Sequence, residues 1–358
     1  MSSLFSPLDF KRGPSMKNRF MLAPLTNLQS HEDGVLSDEE FHWLTMRAKG
    51  GFGLTMTCAA HVQEIGQGFK GQLGIFSDKH IAGLSRLAET IKEEGSVSNC
   101  QLYHGGMRAP AEVTGFTPVC PSDNEETGAR ALSTGEVKQV VNDFVAAAVR
   151  AEKAGFDGVE LHGAHGYLLC QFFSSDINHR DDEYGGNLEN RSRILFEIVD
   201  GVREQCREDF MLGVRLSAER FSMRLDDSVA IAQRLCNEGK IDFLDMSLWD
   251  VFKDPVEEDK QGKSLLSYFT EIDRKDVRLG IAGKIRTPEE AERAFASGVD
   301  WIMLGRAAIL HHDFPNRMHS EADFIPAELP VTREYLANEG LSENFIEYMN
   351  SWKGFVAE

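Results

Sequence analysis

The chain is short of most of the features that mark specialised protein classes. Its 358 residues include 38 lysines and arginines against 57 aspartates and glutamates, a formal net charge of −19, and no local run of basic residues relieves it. Such a surface repels phosphate backbones and anionic membranes, so neither nucleic acid nor a membrane is expected as a partner. The six cysteines (Cys58, Cys100, Cys120, Cys170, Cys206 and Cys236) are scattered, with no CxxC pair to chelate zinc or an iron–sulfur cluster. Buried free thiols in a reducing compartment are the reading that remains. No stretch is apolar for long enough to span a bilayer, and the opening MSSLFSPLDFKRG lacks the apolar core of a secretion signal, so a cytoplasmic location is expected. What the chain does have is 42% hydrophobic and 27% charged residues, enough apolar material for a large buried core.

Eight short β-type runs recur with helical segments between them: Arg19–Leu22, Gly53–Met56, Ser98–Tyr103, Gly158–His162, Leu212–Leu216, Phe243–Ser247, Arg278–Ala282 and Trp301–Leu304. Strand and helix in alternation predict parallel βαβ units, and eight of them predict a closed (β/α)8 TIM barrel formed by residues 1–358 as one domain. The clearest helix is Thr134–Ala154, whose Val137, Val140, Val141, Phe144 and Ala148 keep helical spacing behind a Ser133/Glu136 capping box. Asn190–Arg207 and Thr287–Ala296 also read as helices, the latter with Pro288 in its first turn and Gly298 beyond its end. Three segments exceed a minimal barrel: residues 1–17, residues 104–132 after the third strand, and a C-terminal extension over 305–358. The middle one is expected to face substrate, because barrel enzymes grow active-site loops at strand C-termini. In the last, Phe345, Tyr348, Trp352 and Phe355 at helical spacing could pack on the barrel or on a neighbour in a homo-oligomer.

The fourth strand ends in His162-Gly163-Ala164-His165-Gly166-Tyr167. An HxxH there reads as a metal pair, an oxyanion-binding pair, or two histidines hydrogen-bonded for structure. A metal needs further ligands, and Asp176, His179 and Asp182 nearby keep no regular ligand spacing. The charged stretch Asn178–Gly186 reads as structural.

Several segments together resemble the old yellow enzyme family over nearly the whole chain: Asn18–Thr26 (NRFMLAPLT), Cys100–Gly106 (CQLYHGG), Gly155–Arg193, Gly213–Ser217 (GVRLS), Gly283–Pro288 (GKIRTP) and Leu304–Arg306 (LGR). The resemblance implies FMN across the C-terminal mouth of the barrel. Its phosphate would be cradled by Gly283 and Lys284 after the seventh strand and by Gly305 and Arg306 at the start of a helix after the eighth, where backbone N–H groups, helix potential and a guanidinium favour an anion. The same resemblance places Gln101 against the pyrimidine edge and Arg215 near its N1 side, where a cation stabilises the reduced anionic flavin. It places Thr26 near the reactive nitrogen, and makes Pro24 and Ala59 or Ala60 backbone contributors. His162 and His165 then grip the substrate's carbonyl or nitro oxygen, Tyr167 supplies a proton, and Tyr103 walls the pocket. The implied activity is NAD(P)H-driven reduction of activated C=C bonds. No coenzyme fingerprint of the GxGxxG kind is recognised, which agrees with a nicotinamide that visits the substrate pocket transiently.

The chain departs from the family where Met107-Arg108 follows the QLxHxG segment. An FMN-dependent amine dehydrogenase or demethylase of the same family is the alternative within flavoenzymes. Outside them, a flavin-free metal-dependent barrel isomerase would use the two histidines as ligands.

Overall fold

The computed structural model describes residues 3–357. Eight parallel strands form its centre: β1 (Phe20–Leu22), β2 (Leu54–Met56), β3 (Val97–Tyr103), β4 (Gly158–Gly163), β5 (Met211–Ser217), β6 (Phe243–Ser247), β7 (Arg278–Ala282) and β8 (Trp301–Leu304). Each pairs with its sequence neighbours, β8 pairs with β1, and β2 pairs with β3 through Leu54 and Val97, so the sheet closes on itself. Both faces of the strands are buried, yet β3 (VSNCQLY) and β5 (MLGVRLS) keep polar side chains among the apolar ones, including Asn99, Gln101 and Arg215. The fold is the TIM barrel that the alternation of elements predicts.

The principal helices of the outer layer are α1 (Asp38–Lys49), α2 (Ile81–Glu93), α3 (Thr134–Lys153), α4 (Leu188–Gln205), α5 (Leu225–Glu238) and α6 (Pro288–Phe295). The Ser133/Glu136 capping box is present at the start of α3. Helix α4 begins two residues earlier than the periodicity suggests, because the Asn187 side chain accepts from the Asn190 backbone N–H and sets the boundary. A second capping box, Thr287 with Glu290, starts α6 ahead of Pro288. Among the described residues no helix is long and apolar enough to cross a membrane.

The bottom of the barrel is shut by its own N-terminal segment. Leu8 and Met16 pair across a short antiparallel bridge, and Phe10 packs edge-on against Phe243 (6.2 Å) and Trp301 (5.8 Å) at the starts of β6 and β8. Met16, Met21, Met56, Met211 and Met303 fill the space above. At the top, the loop after β3 carries a turn of 3-10 helix at Gly106–Arg108 and a small parallel pair, Val119–Cys120 with Arg130–Ala131. The Asn178–Gly186 stretch anchors this loop: Arg180 donates to the carbonyls of Pro121 (2.9 Å) and Leu132 and pairs with Asp182. The C-terminal extension packs on its own barrel. Helix α7 (Glu343–Asn350) sets Phe345 against Trp43 of α1 at 5.4 Å, and the aromatic row continues through Tyr348, Trp352 and Phe355.

Candidate active site

The polar residues converge where the strands end. At the close of β4 the backbone turns left-handed at His165 (φ 60°) and Gly166 (φ 70°), which folds His162, His165 and Tyr167 towards one another. A non-glycine residue in that region is held there by its surroundings. Here the His165 N–H donates to Ser217 Oγ at the end of β5 (2.9 Å), and the His165 carbonyl accepts from the Arg108 guanidinium. Ring centroids lie 5.0 Å apart for His162 and His165, and 5.1 Å for His162 and Tyr167. Tyr103 meets Tyr167 at 4.5 Å and His162 at 5.8 Å, walling one side as its position on β3 implies.

Protonation follows from geometry and burial. His162 Nδ1 accepts the Ala164 N–H at 3.3 Å, which leaves the proton of a neutral ring on Nε2. Burial, then His165, Arg215 and Arg108, push the His162 imidazolium form far out of reach, and burial with the two arginines does the same for His165. Both rings are neutral at pH 7, and the His165 Nε2 shares a hydrogen bond with Ser247 Oγ at the end of β6 (2.7 Å).

Beneath them Gln101 on β3 and Arg215 on β5 point into the lumen, nearly fully buried. Gln101 Nε2 donates to Glu160 Oε1 at 2.6 Å, while Arg215 Nε has no protein partner. Thr26 and Pro24 follow β1, and Tyr348 of α7 reaches the Thr26 side chain. Ala60 pairs with Leu102 of β3, and the Ala59 carbonyl is taken by Gln72 Nε2 (2.8 Å).

After β7, Gly283 lies so close to the neighbouring loop that a Cβ would stand 2.9 Å from both the Asp250 nitrogen and the Trp249 carbonyl carbon. Lys284 follows with φ 51° and turns its ammonium to Asp250 (3.1 Å), so its contribution to a cradle is backbone rather than charge. Gly305 caps the helix Arg306–Leu310, and Arg306 stands close enough to Arg286 for the two guanidiniums to repel. Both arginines line a cleft of about 480 Å³ with Thr287 and Leu310.

Sequence reasoning missed Arg286, Ser217, Ser247, Tyr348 and the site role of Arg108. The two serines were within reach, since each closes a strand at the catalytic end. Arg108 stacks over the Tyr167 ring at 4.7 Å, within the Met107-Arg108 step where the chain departs from the family. The letters GxGxxG do occur, at Gly66-Gln67-Gly68-Phe69-Lys70-Gly71, contrary to the expectation of none. That stretch follows a 3-10 turn and opens no α-helix, and its Gly68 N–H is used by Gln72, so it is no dinucleotide cradle. Among the described residues no three of His, Cys, Asp and Glu gather to hold a metal ion.

Comparison with known proteins identifies the family and the fold. Residues 3–323 match the model of the NADH:flavin oxidoreductase / NADH oxidase family. The probable NADH-dependent flavin oxidoreductase YqiG of Bacillus subtilis is 34% identical over 86% of this chain and 85% of its own length. The NADH:fumarate oxidoreductase of Klebsiella pneumoniae is 32% identical over 88% of this chain, which spans only 36% of that longer protein. The structure of the old yellow enzyme homologue from Zymomonas mobilis superposes with a TM-score of 0.82 at 29% identity, covering 96% of this chain and 99% of that one. The chain is therefore a member of the NADH:flavin oxidoreductase / NADH oxidase family, built on the barrel of the old yellow enzymes.

Proposed function

We propose that this protein is an FMN-dependent ene-reductase, which takes hydride from NAD(P)H and reduces C=C bonds activated by a carbonyl or nitro group. The observation that carries this reading is the fixed, neutral His162, whose Nε2–H is a donor at the catalytic mouth, set 5.1 Å from the ring of Tyr167.

The residues fit FMN. An orphaned buried guanidinium nitrogen on Arg215 and a Gln101 amide with one N–H and its carbonyl free match the mixed donors and acceptors of a flavin pyrimidine. Gly283, too tight for any side chain, and the Gly305–Arg306 helix start with Arg286 beside it suit a phosphate. Bound flavin would supply the hydride. His162 polarises the substrate's oxygen, a donor of the oxyanion-hole kind worth about 3–4 kcal/mol in the transition state. His165 stays neutral and is steered by Ser247, and the Tyr167 hydroxyl protonates the carbon α to the activating group.

The mouth is cationic although the chain is acidic. Arg108 and Arg220 have no carboxylate partner among the described residues; one stacks on Tyr167 and the other on Trp249 (4.1 Å). Alkenes that carry a carboxylate therefore belong to the proposed range, and the fumarate named for the Klebsiella relative is of that kind.

The test is a spectrum followed by a variant. The purified protein should show flavin absorption and, on addition of a simple phenol, a long-wavelength charge-transfer band. His162→Ala should lose that band and slow enone reduction while keeping its flavin. A protein that takes up no FMN, or a His162→Ala variant that reduces enones at the wild-type rate, would remove the reading.

A further inference from the structure

The ene-reductase reading leaves two buried acids unused. Glu160 on β4 and Asp245 on β6 both point into the lumen and are fully buried. Strand register sets them among the groups that would meet the flavin: Gln101 is the cross-strand partner of Glu160, and Arg215 is the partner of Asp245. Gly280, facing Asp245 from β7, leaves the room they need, since a Cβ there would lie 2.4 Å from Asp245 Oδ1 and 2.3 Å from Trp301 Nε1.

The hydrogen bonding of this layer is incomplete in a specific way. Glu160 Oε1 is used by Gln101, but Glu160 Oε2, both Asp245 oxygens, Arg215 Nε and Trp301 Nε1 have no partner. Two carboxylates facing one guanidinium would leave an uncompensated buried negative charge, which costs several kcal/mol. One proton between the acids removes that charge and joins Glu160 Oε2 to one of the Asp245 oxygens, because the two side chains are within hydrogen-bond reach and a protonated carboxyl donates to its neighbour. Burial first, then the charge of Glu160, push the Asp245 carboxyl well up, with Arg215 opposing. The groups facing the pair are Asn99 and Gln101 on β3, His162 above it on β4, Arg215 on β5 and Trp301 on β8.

We propose that Glu160 and Asp245 are positioning residues that share one proton: together they carry a single negative charge, which orients the Gln101 amide and sets how much of the positive charge of Arg215 reaches the flavin. This rests on the reading of Gln101 and Arg215 as flavin-binding residues. The arrangement has a diagnostic property. In Asp245→Asn the anion stays on Glu160. In Glu160→Gln, Asp245 loses its like-charged neighbour and ionises beside Arg215, so the layer again keeps one negative charge. Only the double variant leaves Arg215 uncompensated and favours the reduced, anionic flavin.

Two measurements decide it. On the FMN-loaded protein, the flavin midpoint potential should change by less than threefold in the oxidised-to-reduced ratio for each single variant. In the double variant it should rise by tenfold or more, about 30 mV for a two-electron couple. Additive increments from the two single variants would mean that both acids are ionised in the wild type, and would overturn the proposal. On the protein with or without flavin, infrared difference spectra at about pH 9, where Glu40 with its pKa near 7 is ionised, should show one protonated carboxyl. It should be lost in either single variant and shifted by ¹³C labelling of aspartate in the wild type. No such carboxyl, or one that survives both substitutions, overturns the proposal without recourse to a variant's potential. Failure to take up FMN would instead sink the ene-reductase reading, with the infrared result still deciding the shared proton.

Discussion

Replacing Tyr167 by phenylalanine separates the two halves of the proposed cycle. The ring would stay where it is, because its neighbours are Tyr103 at 4.5 Å, His162 at 5.1 Å and the Arg108 guanidinium at 4.7 Å, all of which contact the aromatic face or edge rather than the hydroxyl alone. Stability should therefore change by no more than about 1 kcal/mol, the ordinary worth of one hydroxyl's hydrogen bond. The chemistry should change far more. A positioned general acid contributes roughly 10²- to 10⁴-fold, about 3–5 kcal/mol of barrier, and all of it would fall on the step in which the substrate's α-carbon takes its proton. Anaerobic stopped-flow reads the halves separately: bleaching of the flavin by NADPH, then its return on mixing with cyclohexenone. The expected outcome is near-normal bleaching and re-oxidation slowed by at least 100-fold. Equal slowing of both halves would refute the assignment and make Tyr167 a packing residue of the pocket.

Other substitutions test the site and its surroundings. Arg108→Ala should raise KM for maleate or fumarate about fivefold, ~1 kcal/mol as for an exposed charge, and leave KM for cyclohexenone unchanged; an equal rise for both would mean that Arg108 acts only by holding Tyr167 and the His165 carbonyl. Gly283→Ala pushes a methyl group into backbone atoms 2.9 Å away, and should cost about 1–3 kcal/mol together with most of the bound flavin, measured by absorbance ratio after gel filtration. Glu40 is buried, accepts from Asn27 (3.0 Å) and Ser30, and has its pKa raised to about 7 by burial. Its folded-state pKa lies above its unfolded value, so its contribution is present at low pH and lost as pH rises through 7. Urea titrations should show Glu40→Gln losing about 2 kcal/mol more than the wild type between pH 7 and pH 5, and identical pH slopes would contradict the buried, protonated state.

The sequence made the barrel legible because short β-type runs alternate with helical segments, and its best helices carry capping signals within four residues of their starts. Motif-bearing residues were legible for a similar reason: His162, His165 and Tyr167 lie within six residues of one another, so one loop brings them together. What stayed hidden depends on contacts across long separations. Ser247 meets His165 from 82 residues away, and Tyr348 reaches Thr26 from the far end of the chain. The side chain of Lys284 shows the limit in the other direction. Its position after β7 suggests a phosphate ligand, but Asp250 on the neighbouring loop captures the ammonium, and nothing near Lys284 in sequence announces that competitor.

The aromatic plug at the base of the barrel bears on how the lumen handles charge. Phe10, Phe243 and Trp301 close the bottom, and five thioether side chains occupy the space above them. No donor or acceptor among those side chains other than the Trp301 indole could pass a proton along, so the layer holding Glu160 and Asp245 is open to exchange only from above, through the site itself. With a flavin seated there, that last route would be covered. A proton held between the two acids would then be sealed in for as long as the cofactor stays, and the layer would work as the inner plate of a capacitor, shaping the field above it while conducting nothing to the solvent below.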